Sequence, residues 1–392
     1  MQKVGIGGVL VFIIIAAALM INAGTDLVKV SDVFHASSFG CSGAIVEGDQ
    51  FAKCIDVWFM LMLVAFLMLF IKKFEWGVCL ATLLSAMVSM VVYVGIQDLY
   101  FNADWNLSLL IRAVICSITL VIAIGVFLGT CKMWQYLLVG FGFAIAYSLI
   151  EWLLGNVEIG GHLATDPGGS VLVHLCAAYF GLGVCLGIQE KRAFDEPMKV
   201  TTHSVSFVWL ASMLLWVLWP SFVTSLLGDQ SQINQGITTC FMAGAGSVIS
   251  AYAVCMICQK KVNALTYTYA MLCGPVAIGA PLLSVGPWGA LLIGIIAGIV
   301  SALCFTYLQP VFCKKLGVLD VMGVHNLHGV GGWMGAIFVT IIVGQVATIA
   351  MAVIVFAIAI VSGLIIGVIV RFTRGQMDEI CSDEPDFFMP TE

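Results

Sequence analysis

The stretch Asp166-Pro-Gly-Gly-Ser-Val-Leu-Val-His174 has a counterpart 154 residues later, Asp320-Val-Met-Gly-Val-His-Asn-Leu-His328, and the two together indicate how the chain folds. Both copies contain Asp-x7-His. The first follows an acidic connection and the second follows two lysines, so we expect their helices to enter a membrane from opposite sides. Eight helical residues rise about 12 Å, and in a hydrocarbon layer about 30 Å thick both histidines then reach the midplane, about 6 Å apart in depth. This is typical of an inverted repeat.

The start of the first copy has the sequence of a helix N-terminus. Asp166 has the side chain of an N-cap, and Pro167 suits the first helical position, where no backbone N–H is needed. The sequence therefore predicts that the Asp166 carboxylate caps the helix that carries His174.

Composition assigns the chain to the membrane proteins. Of its 392 residues, 61% are hydrophobic and 10% are charged, with a mean hydropathy of +1.09. Soluble domains carry about 25% charged residues, and membrane barrels use alternating segments of about ten residues. We therefore expect an all-α polytopic protein of the cell membrane. The net charge of −6 and the lack of a basic patch argue against nucleic-acid binding, and nothing calls for a cofactor or an enzymatic reaction.

Twelve apolar runs are long enough to cross a bilayer. Thirteen of the 16 basic residues fall on one side of the predicted membrane, which by the positive-inside rule makes both termini cytoplasmic. The opposite connections are acidic. The predicted spans are 4–21, 55–71, 77–97, 107–128, 134–154, 168–188, 205–227, 236–257, 263–283, 288–308, 321–342 and 347–370.

The two ends of the chain need separate interpretation. Residues 1–24 have the features of either an extra N-terminal helix or a cleaved signal peptide, so the count is twelve spans or eleven. The whole of 1–392 is expected to form one membrane channel domain. The acidic segment 371–392 is predicted to be a flexible cytoplasmic tail, with a docking segment as the alternative.

The two histidines have a chemistry that suits a pore. A neutral imidazole has one donor and one acceptor, so His174 and His328 can share a proton and still present ring edges to a small polar solute. An apolar passage offers no ligands to a cation, whereas ammonia can cross uncharged. Two alternatives are that each histidine merely satisfies a neighbouring helix, or that the pair ligates a haem in a membrane redox protein. Too few further ligands surround His325 for a metal site, and we assign it an accessory role in the pore.

Four motifs resemble one known family. They are DPGGSVLVHLCAAYFGL from Asp166, WPSF from Trp219, PWGALLIGIIAG from Pro287 and GVHNLHG from Gly323. Together they resemble the Rh glycoprotein branch of the ammonium transporter/Mep/Rh family, over most of the chain. The resemblance implies the ammonium transporter fold with an inverted five-helix repeat, a retained first helix, and a homotrimer in membrane lipid. Each subunit would have a narrow hydrophobic pore for ammonium/ammonia, with methylammonium and CO₂ as further candidate solutes.

The resemblance also implies roles for particular residues. His174 and His328 match the twin histidines of the family, and Asp166 matches the acidic residue of the outer vestibule that assists ammonium deprotonation. Phe222 matches the inner of two stacked gate phenylalanines. In the third span the alignment gives Ile115 in place of the partner phenylalanine, and Trp105 in FNADW is the alternative in a second register.

Two further positions follow from the same motifs. Asn326 lies next to His325 in GVHNLHG, and both are assigned to the accessory part of the pore. Tyr269 departs from the family pattern, because Rh proteins usually have Asn at that position.

Overall fold

The computed structural model describes residues 41–69, 71, 73–192, 202–320 and 322–388. The described residues form helices and contain no β-structure beyond one isolated bridge. Nine helices in these ranges are long and apolar enough to cross a membrane. The helices are α1 (Cys41–Phe66), α2 (Glu75–Phe101), α3 (Leu107–Ile124), α4 (Gln135–Asn156), α5 (Ser170–Ile188), α6 (Thr202–Val223), α7 (Gln230–Gln259), α8 (Ala264–Ile278), α9 (Pro287–Leu316), α10 (His325–Val343) and α11 (Ala347–Arg374).

These helices confirm the predicted all-α architecture. The predicted span 4–21 lies outside the described residues, and each of the other eleven overlaps one helix. The largest difference is in α1, which begins at Cys41 and not at residue 55. Its first part is polar, and an ion pair of 2.7 Å links Lys53 to Asp49 one turn earlier. A search for apolar runs cannot detect such a polar extension.

α5 lies at the centre of the bundle. In the most apolar 18-residue stretch of α5, 89% of the residues are buried, whereas in that of α11 only 28% are. α11 therefore lies at the periphery of the bundle. The two helices pack closely, because a side chain at Gly183 of α5 would collide with the α11 backbone at Ile360. Small residues at such crossings let helix backbones approach each other in membranes.

α5 and α11 run in the same direction. The Thr165 N–H, just before α5, donates a 2.8 Å hydrogen bond to the Thr348 hydroxyl at the start of α11. Past the other end of α5, the Gln189 side chain accepts a 2.7 Å bond from Arg371 near the end of α11. We call the first of these ends of the bundle the Asp166 end.

α10 begins at the opposite end of the bundle. The Met322 N–H, just before α10, donates a 3.2 Å bond to the Gly125 carbonyl. Four residues further on, the Gly129 carbonyl accepts a 2.9 Å bond from the N–H of Cys381, which follows the end of α11. We call this the Asp320 end. The helices of the two Asp-x7-His stretches thus enter from opposite ends, as the inverted repeat requires.

The segment after α11 is packed against the bundle. The Asp383 carboxylate accepts bonds of 3.1 and 2.7 Å from the N–H groups of Trp76 and Gly77 at the start of α2. Phe387 packs edge-to-face on Trp76 with ring centroids 5.6 Å apart. The prediction of a flexible tail is therefore wrong for residues 375–388, where a carboxylate and an aromatic ring attach the segment to the first turn of α2.

Candidate functional site

His174 and His328 meet in the interior of the bundle. Their Nδ1 atoms are 3.0 Å apart, and the rings are stacked with centroids 5.0 Å apart and planes 25° from parallel. The side chains are 1% and 8% exposed. One Nδ1 must carry a hydrogen and the other must accept it. The two rings are therefore joined by one N–H···N hydrogen bond, which agrees with the predicted contact of the two histidines.

A second pair of contacting residues has the same separation in sequence as His174 and His328. The Trp333 indole donates a 2.8 Å bond to the Tyr179 hydroxyl, and these residues are again 154 positions apart. Tyr179 lies five residues after His174, and Trp333 lies five residues after His328. Two equivalent pairs of side chains thus touch across the repeat, which holds α5 and α10 in register.

Asp166 caps the helix that carries His174. Its Oδ2 atom accepts both the Val171 N–H at 3.0 Å and the Leu172 N–H at 2.8 Å. The predicted cap is confirmed, but the predicted helix start is wrong. α5 begins at Ser170, because Pro167 is followed by two glycines and Gly169 has a φ of +81°, which does not continue a helix.

Asp320 caps the corresponding helix of the second repeat. Its Oδ1 accepts the Val324 N–H at 2.7 Å, and its Oδ2 accepts the His325 N–H at 3.1 Å. Each capped helix opens with a short π-helical turn that contains its histidine, Ser170–Leu175 or His325–Gly329. Such turns often occur at functional sites. Asp320 was not among the predicted site residues, although its place in the Asp-x7-His repeat indicates this role.

Both capping carboxyls lie just outside the membrane-spanning segments, where Asp320 is buried and Asp166 is half-buried. Burial raises the pKa of Asp166 to about 7, against the opposing effect of its backbone hydrogen bonds. Burial likewise raises the pKa of Asp320 to about 7, again against its hydrogen bonds. Near neutral pH each group therefore exchanges between its charged and uncharged forms.

A small cavity lies on the Asp166 side of the histidine pair. Its volume of about 20 Å³ is room for one water-sized molecule. His174 and Trp219 are neighbours there, with ring centroids 5.6 Å apart, and Phe222 lies 6.0 Å from His174. The lining residues are Met60, Val64, Leu67, Ile118, Ile122, His174, Leu215, Trp219, Phe222, Leu272 and His328.

A second cavity of about 20 Å³ lies on the Asp320 side. It shares His328 and three apolar residues with the first, so the two form one line past the histidines. Its walls are Val64, Leu67, Met68, Val121, Ile122, Gly125, Tyr269, Met322, Val324, Leu327 and His328. Among these lining residues of the described chain there is no Asp, Glu, Lys or Arg.

Comparison with known proteins places this site in a family. A sequence profile described as the Ammonium Transporter Family matches residues 33–380. The chain belongs to this family. A Bos taurus protein named ammonium transporter Rh type A is 31% identical over 344 residues, which are 81% of this chain and 78% of the relative. The resemblance to the Rh branch is therefore confirmed, and the chain is an integral multi-pass membrane protein.

Solved structures of the family agree with the fold. Rh50 of Nitrosomonas europaea, from the Rhesus protein family of channels, superposes with a TM-score of 0.84 at 29% identity, covering 89% of this chain and 94% of that one. A structure called Sensor Amt Protein superposes with a TM-score of 0.71 at 19% identity, over 84% of this chain and 92% of that one. The second likeness concerns the fold alone.

The structure separates the two predicted gate residues. Phe222 lines the cavity beside His174, whereas Ile115 is buried elsewhere in α3 and lines neither cavity. From the same helix, Ile118 and Ile122 reach the cavity on the Asp166 side. The gate role of Phe222 and Ile115 remains a prediction.

The accessory residues also lie away from both cavities. His325 stacks on Phe312 with centroids 4.5 Å apart and planes 6° from parallel. Asn326 is 1% exposed, and its side-chain amide has no hydrogen-bond partner among the described residues. Neither residue lines a cavity, so their accessory role also remains a prediction.

The geometry argues against a metal between the histidines. Two axial nitrogens on opposite sides of one haem iron lie about 4 Å apart, since each is about 2 Å from the metal. The Nδ1 atoms here are 3.0 Å apart and in direct contact, which leaves no room for a macrocycle. No group of three or more His, Cys, Asp or Glu side chains in the described ranges could hold a metal ion.

Proposed function

We propose that this chain is an Rh-type ammonium/ammonia channel that passes neutral ammonia through the twin-histidine pore. The observation that carries the proposal is the line of two cavities, each with room for one small molecule, on either side of the His174–His328 pair. A charge at the bilayer centre costs at least about 2.5–3.5 kcal/mol, and the cavity walls supply no opposite charge to offset it. A small uncharged solute meets no such barrier.

The proposed path begins with ammonium at the Asp166 end. The acidic connections there attract the cation by Coulomb attraction. The cation loses its proton before the narrow section, ammonia passes His174 and then His328, and it regains a proton beyond Asp320. The main role of Asp166 in this path is to hold the helix of His174 by its cap. A carboxyl whose pKa is about 7 can also accept the released proton.

The membrane orientation belongs to the proposal as well. Four lysines lie in connections at the Asp320 end, and Lys314 lies in the last turn of α9 at the same end; the four are Lys73, Lys132, Lys191 and Lys260. The positive-inside rule therefore makes that end cytoplasmic. With an even number of spans both termini lie there. We further propose that the chain sits in the cell membrane as a homotrimer with one pore in each subunit, which native mass spectrometry in detergent can test.

A transport assay tests the proposed function. The purified chain is reconstituted in liposomes that contain a pH-sensitive dye, and ammonium, methylammonium and CO₂ gradients are applied in separate stopped-flow experiments. We expect ammonium to drive alkalinisation of the lumen faster than in empty liposomes. An equal rate in the two preparations would overturn the ammonia channel, and a response to CO₂ alone would establish the CO₂ channel in its place.

A further inference from the structure

Tyr269 forms part of the wall between His328 and the Asp320 end. It lies near the end of the first half of α8, Ala264–Ala270, just before the helix is interrupted at Met271 and Leu272. It is 5% exposed and lines the same cavity as His328. A solute that leaves the histidine pair toward the Asp320 end therefore meets the Tyr269 side chain.

The hydroxyl of Tyr269 contacts two other residues that line this cavity. It is 3.3 Å from the Leu67 carbonyl and 3.6 Å from the Met322 sulfur. Leu67 and Met322 both line this cavity. A phenolic hydroxyl has one proton and also accepts hydrogen bonds. The proton can go to the Leu67 carbonyl or to the Met322 sulfur, and in either case the oxygen keeps a lone pair that can accept a hydrogen bond from a solute.

The Tyr269 ring is held in this position by its neighbours. It stacks on Phe305, with centroids 5.9 Å apart and planes 23° from parallel. Gly323, with a φ of +63°, makes room for Phe305, since a side chain at that position would collide with the Phe305 ring. The acceptor oxygen is thus fixed before a solute arrives.

Only two side chains along this cavity carry nitrogen or oxygen, namely His328 and Tyr269. Ammonia has three N–H groups and can donate to the Tyr269 oxygen while it remains close to the imidazole. CO₂ has no N–H or O–H group and gains nothing from an acceptor. A neutral hydrogen bond contributes about 0.5–1.5 kcal/mol, which is enough to discriminate between two small solutes in an otherwise apolar cavity.

We propose that Tyr269 is a specificity-determining residue of the pore, whose hydroxyl favours hydrogen-donating solutes such as ammonia and methylamine over CO₂. The inference rests on the proposed function, because it concerns the same passage.

The test compares Tyr269→Phe with wild type and with Tyr267→Phe in proteoliposomes. Tyr267 is a matched control two residues away: its hydroxyl also donates a 3.3 Å bond to a backbone carbonyl, that of Val248, but it lines neither cavity. We expect Tyr269→Phe to lower ammonia permeability about 2- to 10-fold and to leave CO₂ permeability unchanged, while Tyr267→Phe behaves as wild type.

A second variant separates the loss of the acceptor oxygen from a folding defect. Tyr269→Asn keeps an acceptor oxygen in a smaller side chain, so we expect it to conduct ammonia at least as well as Tyr269→Phe. The selectivity proposal is overturned if ammonia permeability is unchanged in Tyr269→Phe, if ammonia and CO₂ fall together, or if Tyr267→Phe shows the same loss. A wild type without ammonia permeability overturns the proposed function itself and the selectivity proposal with it, so the two failures are distinguishable.

Discussion

Asp166 and Asp320 cap equivalent helices with different use of their carboxylate oxygens. Asp166 accepts both backbone hydrogen bonds on Oδ2, whereas Asp320 accepts one bond on each oxygen. The two positions are otherwise matched, since both precede a π-helical turn that contains a pore histidine. Because of this difference, we expect position 166 to tolerate substitution by Asn and position 320 not to tolerate it.

Asp166→Asn should be the mild substitution and Asp320→Asn the severe one. One amide oxygen can accept both bonds at position 166, but at position 320 the amide NH₂ would face a backbone N–H. We expect Asp320→Asn and Asp166→Ala to lose about 1–2 kcal/mol of stability, and Asp166→Asn to lose less than half of that. Unfolding by SDS titration measures all three, and equal losses in the two Asn variants would contradict the cap geometry.

The same substitutions predict a pH dependence. The folded pKa of each carboxyl is about 7, raised from 3.8 by burial, so the fold favours the protonated form. This contribution is fully present below about pH 3.8 and is lost as the pH rises through about 7. The stability of wild type relative to Asp166→Asn should therefore fall between pH 5 and 8. A relative stability that rises over this interval would show that Asp166 is ionised in the folded protein.

The histidine pair should behave as a coupled unit. His174→Leu alone removes one partner and leaves the other ring nitrogen unpaired in an apolar place, which costs about 1–3 kcal/mol. The double variant His174→Leu/His328→Leu removes both partners. We expect it to lose clearly less stability than the sum of the two single variants, by about 1 kcal/mol or more. Additive losses would mean that the 3.0 Å contact contributes nothing.

The docked tail gives a prediction far from the pore. Asp383→Ala removes both bonds to the start of α2, so the amides of Trp76 and Gly77 should exchange hydrogen faster and residues 375–388 should become more sensitive to protease. Glu379→Ala, an exposed acidic residue of the same segment, is the control. If both variants keep wild-type exchange and protease resistance, Asp383 does not attach the tail.

The sequence predicted correctly those structural features that depend on a single local signal. Long apolar runs predicted the helices from α2 to α11, and the Asp-x7-His repeat predicted the contact of His174 with His328. Three features were not predicted from apolar runs: two depend on local polar signals, and one depends on a distant part of the chain. α5 begins only at Ser170, since its cap reaches across a Pro-Gly-Gly turn, and α1 extends through polar residues. The tail is held by Asp383, which is about 300 residues from its partners.

In the site, too, some residues were predicted from the sequence and others were not. Motifs identified His174, His328, Asp166 and Phe222 as residues near the pore, and the first two meet directly. The place of Tyr269 in the cavity wall could not be deduced from its own helix. It depends on the interruption of α8 and on the stacking with Phe305, a residue of another helix. Such packing between helices is not encoded in the local periodicity of the sequence.

If solute passes through the two cavities beside the histidines, a larger side chain that fills them should block transport. Ile122 lines both cavities, whereas Ile145 of α4 is 48% exposed on the bundle surface. Ammonia-driven alkalinisation would be measured for Ile122→Phe, Ile122→Trp and the control Ile145→Trp, all checked for wild-type thermal stability. The account predicts a stepwise fall from Phe to Trp down to the rate of empty liposomes, with the control unchanged. Wild-type ammonia permeability in a folded Ile122→Trp protein would contradict it.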